Sequence, residues 1–179
     1  MKKFEIRLLS EVFYKKYSKS IFSEIMDKGE NRPYLVLLLK IKTKTFGLPF
    51  RSNVTHKYCF KIKNNRGLKE GIDFSKAVIL EAEDIGRNAH LKSGNLKEVR
   101  KHIDLIIRKF ENYLNEFEIV SKLPKRNVYQ ERTFNMSTLK YFINMTPELY
   151  KTIQEGVDTP TSELISYETI KDNDSKDNK

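Results

Sequence analysis

The chain has 179 residues, of which 39% are apolar, with 11 Phe and 9 Tyr among them, and this is enough to build the core of one domain. Lys and Arg total 34 against 24 Asp and Glu, so the formal net charge of +10 favours a polyanionic partner, although a merely soluble basic protein would carry the same charge. The single cysteine, Cys59, excludes an intramolecular disulfide and a zinc site built on cysteine pairs, and it fits a reducing compartment.

The beginning of the chain predicts a short strand followed by a helix. Residues 3–9 have the pattern of a strand, and Ser10 is a suitable N-cap for a helix that begins at Glu11. Apolar residues then recur at helical spacing, and we expect the helix to end near Gly29. These apolar residues are Val12, Phe13, Tyr17, Ile21 and Ile25.

Four apolar segments in the next part of the chain predict strands. The first is short and dense in apolar residues, and a predicted hairpin turn separates it from the second. Pro49 lies in the second segment, and proline cannot donate to a ladder. We therefore expect this strand at a sheet edge, or Pro49 at the end of the strand. Strands this close together suggest a small barrel. The segments are Tyr34–Ile41, Phe46–Phe50, Tyr58–Ile62 and Ala77–Leu80, with a polar loop at 63–71.

A long amphipathic helix is expected after the strands. Apolar residues keep helical spacing from Asn95, a predicted N-cap, to Phe117. The opposite face is basic, which is common for a solvated helix surface and equally suits contact with RNA. The basic residues of that face are Lys97, Arg100, Lys101, Arg108 and Lys109.

The end of the chain predicts a polar loop, a short helix and a tail. Residues 121–135 mix basic residues with Pro124 and Tyr129, and residues 137–144 could form another helix. The last nine residues, 171–179, contain no apolar residue and are expected to be disordered. We therefore expect one domain at 1–170. The basic residues of the loop are Lys122, Lys125, Arg126 and Arg132.

Targeting signals are not evident in the sequence. The start is charged and lacks the apolar run and cleavage site of a signal peptide. The longest apolar run, Tyr34–Leu39, is too short to cross a bilayer. The sequence therefore predicts a cytoplasmic protein without membrane association.

The polar segment 51–57 is the strongest candidate for chemistry, because it lies between two predicted strands. Cleavage of RNA by its own 2′-hydroxyl needs a base, an acid for the leaving 5′ oxygen, and groups that stabilise the phosphate. His56 can act as acid or base, Arg51 can hold the phosphate through two hydrogen bonds, and Lys57 can add positive charge. Ser52 and Asn53 can donate hydrogen bonds to its oxygens.

The same segment also fits an ordinary hydrophilic hairpin loop with a surface histidine. His90 and His102 are weaker candidates for chemistry. No close spacing of His, Cys or carboxylates suggests a metal site, and no phosphate loop or nucleotide-binding fingerprint suggests a cofactor. The residues alone leave both interpretations of the loop open.

The chain resembles the toxins of type III toxin-antitoxin systems, especially the CptN and TenpN groups, with the ToxN and AbiQ groups more distant. Three blocks and the long helix carry this resemblance over roughly residues 3–145, and the middle block is the most specific. The blocks are Arg32–Leu37, Leu48–Tyr58 and Gly71–Ile79.

The resemblance implies a compact SH3-like barrel similar to the Kid and MazF toxins, with an N-terminal helix and a long helix after the strands. It also implies a metal-independent endoribonuclease that needs no cofactor and leaves a 2′,3′-cyclic phosphate. Its inhibitor would be a repeated RNA pseudoknot that the toxin processes from a precursor. Toxin and antitoxin RNA would close into a cyclic assembly.

Taken with the chemistry of the loop, the resemblance leads us to expect Arg51, Ser52, His56 and Lys57 as the catalytic residues. The ToxN group has Thr-Ser-Pro-Lys in the corresponding loop, so Ser52 is the matching residue and His56 is a hypothesis for this subgroup. Lys76 could reach the same site, or could simply lead into a strand. The expected RNA-binding residues are Asn53, Lys76, Lys97, Arg100, Lys101, Arg108, Lys125, Arg126 and Arg132.

Two other functions fit the same sequence. One is a non-catalytic RNA-binding module, in which Tyr58 and Tyr129 stack on bases while basic residues follow the phosphates. The other is a MazF-like ribonuclease dimer that is inhibited by a protein antitoxin.

Overall fold

A computed structural model of the chain describes residues 4–25, 35–62 and 70–143. Several predictions lie outside these residues: the end of the first helix near Gly29, most of the loop at 63–71, the domain limit at 170 and the polar tail. They stay predictions.

The described part of the chain is an α+β fold with seven strands and four α-helices. Short 3₁₀ turns cover Phe74–Lys76, Ala82–Asp84 and Thr138–Phe142. The strands are β1 (Glu5–Leu9), β2 (Leu35–Ile41), β3 (Lys44–Arg51), β4 (Cys59–Lys61), β5 (Gly71–Asp73), β6 (Val78–Leu80) and β7 (Ile85–Asn88). The helices are α1 (Glu11–Lys16), α2 (Ser93–Lys101), α3 (Ile103–Ser121) and α4 (Val128–Met136).

All seven strands belong to one antiparallel sheet. Six of them follow the order β4-β5-β3-β2-β1-β7. Strand β6 pairs with β3 outside this order, so two short strands share one edge of β3. Strand β4 at one end and β7 at the other do not pair with each other within the described residues. The sheet is therefore open there, and the predicted barrel is not confirmed.

The hairpin of β2 and β3 confirms the predicted turn. Ile41 faces Lys44, and Lys42 in the two-residue turn has a φ of 53°. Pro49, however, lies within an interior strand rather than at an edge. It lies in the gap where β3 changes partners, between Gly47, which faces β6, and Phe50, which faces β5. A proline fits there because the neighbouring ladder is interrupted.

Two predicted helices differ from the structure. Helix α1 has the predicted N-cap, since Ser10 accepts a hydrogen bond from the backbone N–H of Phe13, but it ends at Lys16. The long helix begins at Ser93 and is broken at His102, which ends α2 and precedes α3. Apolar spacing continues across this break, so the periodicity alone predicted one helix.

Three elements were missing from the sequence-based prediction. Strands β5 and β7 have only three and four residues, too few for a periodic pattern. Helix α4 occupies the predicted loop at 121–135. It begins after Asn127, whose side chain accepts from the N–H of Gln130 while the Gln130 side chain accepts from the N–H of Asn127. This capping box was the overlooked signal.

Helix α3 covers the sheet and contributes the centre of the core. Phe110 is fully buried, and its ring centroid lies 5.2 Å from that of Phe46 and 5.7 Å from that of Phe74. Leu48 and Ile72 are fully buried in the same cluster. The core thus holds α3 against β3 and β5, the strands that also carry the candidate site.

No helix in the described ranges combines the length and the apolar character needed to cross a membrane.

We expect Phe110→Ala to lower the free energy of unfolding by about 3–5 kcal/mol, because it leaves a cavity between α3 and the sheet. Ile119→Ala on the same helix removes a side chain that is 65% exposed, and should change stability by less than about 0.5 kcal/mol. Chemical denaturation of both variants measures the difference. Equal losses would contradict this position of the core.

Candidate active site around Asp73

The carboxylate of Asp73, at the end of β5, is fully buried and surrounded by donors and cations. Its Oδ2 lies 2.5 Å from Nη1 of Arg51. Its Oδ1 accepts hydrogen bonds from the backbone N–H of Ser75 at 3.0 Å and from the Ser75 hydroxyl at 2.7 Å. Nε2 of His56 lies 3.3 Å from the same oxygen. One buried carboxylate therefore gathers a guanidinium and an imidazole.

Sheet topology explains why these residues meet. Strand β5 lies between β3 and β4, and residues 52–58 connect these two flanking strands. The connection leaves β3 at Arg51, which faces Gly71, and enters β4 at Cys59, which faces Asp73. The loop must therefore pass over β5, and this brings His56 to the carboxylate.

Local contacts fix this loop. Val54 is 2% exposed, so its side chain anchors the middle of the loop in the protein. The Cys59 thiol donates to the carbonyl oxygen of His56 at 2.9 Å. Asn53 has a φ of 59°, a left-handed conformation that asparagine tolerates better than most residues. Ser52 and Asn53 are exposed at the surface of the loop.

The protein covers both ring nitrogens of His56. Its side chain is 25% exposed, yet neither Nδ1 nor Nε2 is accessible. Within the described residues, neither nitrogen makes a hydrogen bond of good geometry. Because an unsatisfied buried donor or acceptor is costly, this ring is the least satisfied group of the site.

Burial by itself would raise the pKa of Asp73. The nearby imidazole of His56 and the hydrogen bonds from Ser75 and Arg51 outweigh burial and hold the pKa of Asp73 below its usual value. Asp73 is therefore a carboxylate at neutral pH, and it can orient a guanidinium and an imidazole without itself taking a proton.

A second polar cluster lies beside the first and joins β4 to α3 and α4. The hydroxyl of Tyr58 donates to Oε1 of Glu116 at 2.6 Å and lies 2.7 Å from the hydroxyl of Tyr129. It also lies 3.2 Å from the hydroxyl of Thr133. Nζ of Lys57 is 3.4 Å from Oε1 of Glu116. We call Lys57, Tyr58, Glu116 and Tyr129 the tyrosine cluster.

The ammonium group of Lys57 lies against two aromatic rings of this cluster. Nζ is 4.6 Å from the ring centroid of Tyr58 and 4.8 Å from that of Tyr129. The contact with Tyr129 raises the pKa of Lys57 most strongly, so Lys57 is a cation at neutral pH. Burial and the hydrogen bond to Glu116 raise the pKa of Tyr58 to about 12, so its hydroxyl keeps its proton.

The structure brings together two of the four predicted catalytic residues. Arg51 and His56 both contact Asp73, whereas Ser52 is exposed at the surface of the loop. Lys57 follows His56 in the chain but belongs to the tyrosine cluster.

Two of the expected RNA-binding residues make contacts within the protein. Lys76 is 8% exposed, forms an ion pair with Glu24, and donates to the carbonyl oxygen of Met136 at 2.8 Å. The guanidinium of Arg126 lies 4.0 Å from the ring centroid of Phe134 and donates to two carbonyl oxygens at the end of α3. The other expected RNA-binding residues are exposed: Asn53, Lys97, Arg100, Lys101, Arg108, Lys125 and Arg132.

Sequence reasoning missed Asp73, Ser75 and Glu116 as site residues. The signal for the first two was the spacing Asp-Phe-Ser, which allows the carboxylate to accept from the backbone N–H two residues later. Glu116 carried no such local signal, because its partners are distant in sequence.

No group of three or more His, Cys, Asp or Glu residues suited to a metal ion is present in ranges 4–25, 35–62 and 70–143.

Comparison with models of protein families and with curated proteins gives no match. A solved chain shares the fold, with a TM-score of 0.59 and 14% sequence identity over 88% of this chain and 99% of the other. It comes from work on bacterial type III toxin-antitoxin systems, concerning selective toxin inhibition by a non-coding RNA pseudoknot. At this identity the match establishes that the two chains have a common fold.

We expect Asp73→Asn to lower the free energy of unfolding at pH 7 by about 3 kcal/mol, because it leaves Arg51 without its buried partner. The folded-state pKa of Asp73 is depressed, so its contribution is fully present above about pH 4 and is lost as pH falls through the folded-state value. The difference between variant and parent should therefore shrink in acid. Denaturation at several pH values measures it.

The exposed Asp104→Asn variant on α3 is the control, with an expected change below about 1 kcal/mol. A stability difference at Asp73 that does not depend on pH would mean that the carboxylate charge is unimportant.

Proposed function

We propose that this chain is an endoribonuclease toxin of a type III toxin-antitoxin system, which cleaves RNA without a metal. The observation that carries the proposal is the meeting of Arg51 and His56 at the buried carboxylate of Asp73. A strong phosphate-binding group and an acid-base group are thereby held in one place, and both side chains remain partly exposed.

Each residue has a role in attack by the substrate's 2′-hydroxyl. Arg51 binds the phosphate oxygens and stabilises the negative charge that builds up on them. His56 takes the proton from the 2′-hydroxyl or gives one to the leaving 5′ oxygen, and water makes the other proton transfer. Asp73 orients the ring of His56. Ser52 donates a hydrogen bond to the phosphate. The products are a 2′,3′-cyclic phosphate and a 5′-hydroxyl.

This role requires a movement of the loop at 52–57. Both ring nitrogens of His56 are covered, so RNA must displace part of the loop or turn the ring before a proton can be transferred. Catalytic contacts often tighten only when substrate binds. The unsatisfied nitrogens favour such a change, because substrate then supplies the missing hydrogen bond.

Exposed basic residues outside the loop offer a surface for the antitoxin RNA. Six of them lie on or beside α2, α3 and α4, and a net charge of +10 supports binding to polyanions. The proposed inhibitor is a repeated RNA pseudoknot, which the toxin processes and with which it closes into a cyclic assembly. The shared fold with a chain from work on type III systems supports this part of the proposal. The six residues are Lys97, Arg100, Lys101, Arg108, Lys125 and Arg132.

We expect His56→Ala to slow RNA cleavage by at least about 100-fold while RNA binding stays close to that of the parent, because only proton transfer is lost. Cleavage is measured on labelled RNA in EDTA, with analysis of the end groups. His90→Ala removes an exposed histidine outside the site and should cut like the parent. Expression should arrest growth for the parent and for His90→Ala but not for His56→Ala.

Co-expression with the DNA upstream of the gene separates the alternatives. Rescue by a transcript that carries tandem repeats supports the type III assignment, and rescue by a small encoded protein supports a MazF-like system. Salt-sensitive RNA binding with no cleavage by the parent chain would reject the enzyme and leave the RNA-binding module.

A further inference from the structure

The tyrosine cluster combines a half-exposed aromatic ring with charged groups of both signs. Tyr129 is 50% exposed, and the side chains of Lys57 and Glu116 are 60% and 37% exposed. Stacking on an aromatic ring is the usual way in which proteins hold an unpaired RNA base. The cluster therefore has the components of a base-binding subsite.

The hydrogen-bonding pattern of Glu116 restricts which base could bind. Its three partners in the described part of the chain contact Oε1, and they are Tyr58, Tyr129 and Lys57. No residue in the described part of the chain donates to Oε2. This oxygen is thus a free acceptor beside an ammonium donor. It matches a base whose Watson–Crick edge places an amino group next to a ring nitrogen acceptor.

Adenine and cytosine have that arrangement, whereas uracil presents carbonyl oxygens on either side of its ring N–H. A carboxylate repels a carbonyl oxygen, and in nucleic acid recognition Glu accepts from the exocyclic amino group of cytosine. The Watson–Crick edge of guanine offers a ring N–H and an amino group, and a carboxylate needs both oxygens to accept from the two. One of these oxygens, Oε1, already accepts from Tyr58.

The position of the cluster links it to the proposed cleavage site. His56 and Lys57 are consecutive residues, yet the first contacts Asp73 and the second contacts Glu116. The backbone N–H of Phe74, next to Asp73, also donates to the carbonyl oxygen of Tyr58 at 3.0 Å. A nucleotide whose phosphate lies at Arg51 would therefore have its own base, or that of a neighbour, near Tyr129.

We propose that the tyrosine cluster is a base-specificity subsite, in which Tyr129 stacks on a base. Glu116 and Lys57 select adenine or cytosine, whose Watson–Crick edges place an amino group beside an accepting ring nitrogen. The inference rests on the proposed ribonuclease function, and it adds a selectivity that this function does not itself supply.

The test uses the full chain and uncleavable 2′-O-methyl RNA octamers of adenine, cytosine or uracil, with affinity measured by fluorescence anisotropy. The adenine or the cytosine octamer should bind about tenfold more tightly than the uracil octamer. In Glu116→Gln the affinities for the preferred octamer and the uracil octamer should lie within about twofold of each other. The reason is that the Gln amide can accept from an amino group or donate to a carbonyl. The separate adenine and cytosine measurements show which of the two bases is preferred.

Matched variants separate stacking and selection from a role in stability alone. Tyr129→Ala should weaken binding of the preferred octamer about tenfold, and Tyr129→Phe should keep most of it because the ring remains. Glu118→Gln and Val128→Ala change exposed neighbours on the same two helices and should leave the ratio unchanged. A structural role would lower the melting temperature and weaken all octamers equally.

The inference is overturned if the parent binds the three octamers within about twofold of one another or binds none of them, or if Glu116→Gln keeps the parent's ratio. Because the octamers cannot be cut, these outcomes do not depend on catalysis. If the parent does not cleave RNA but prefers adenine or cytosine over uracil as expected, only the ribonuclease function is rejected. If the parent cleaves RNA but binds the octamers equally well, only the subsite is rejected.

Discussion

The candidate site depends on the contacts that the buried carboxylate of Asp73 makes. A charge removed from water is tolerated only when ion pairs and hydrogen bonds replace the lost hydration. Arg51 and Ser75 provide that replacement, and the imidazole of His56 lies against the same carboxylate. The same contacts that make the buried charge tolerable also bring a phosphate-binding group and an acid-base group together.

The sheet makes this arrangement possible. Strand β5 is inserted between β3 and β4, so the loop that joins those two strands has to cross it. Helix α3 then covers the strands, and it places Phe110 in the core and Glu116 in the tyrosine cluster. Packing of one helix therefore supports both polar clusters. Any change that shifts α3 should disturb the two together.

Much of the fold could be predicted from the sequence, but the centre of the site could not. The strands around the hairpin and the N-cap Ser10 follow from local patterns, and so does the choice of the loop with Arg51 and His56. Asp73 was missed because its role arises from pairing between short strands whose partners are distant in sequence. The burial of Lys76 had the same origin, since Glu24 approaches it only in the folded chain.

The most direct test of the central claim is a double-mutant cycle on single-turnover RNA cleavage, with Arg51→Ala, His56→Ala and the two combined. If Asp73 assembles the two residues into one unit, the double variant should be no more than about threefold slower than the slower single variant. Rate losses that multiply fully in the double variant would show that the two residues act independently, and would contradict a single site organised by Asp73.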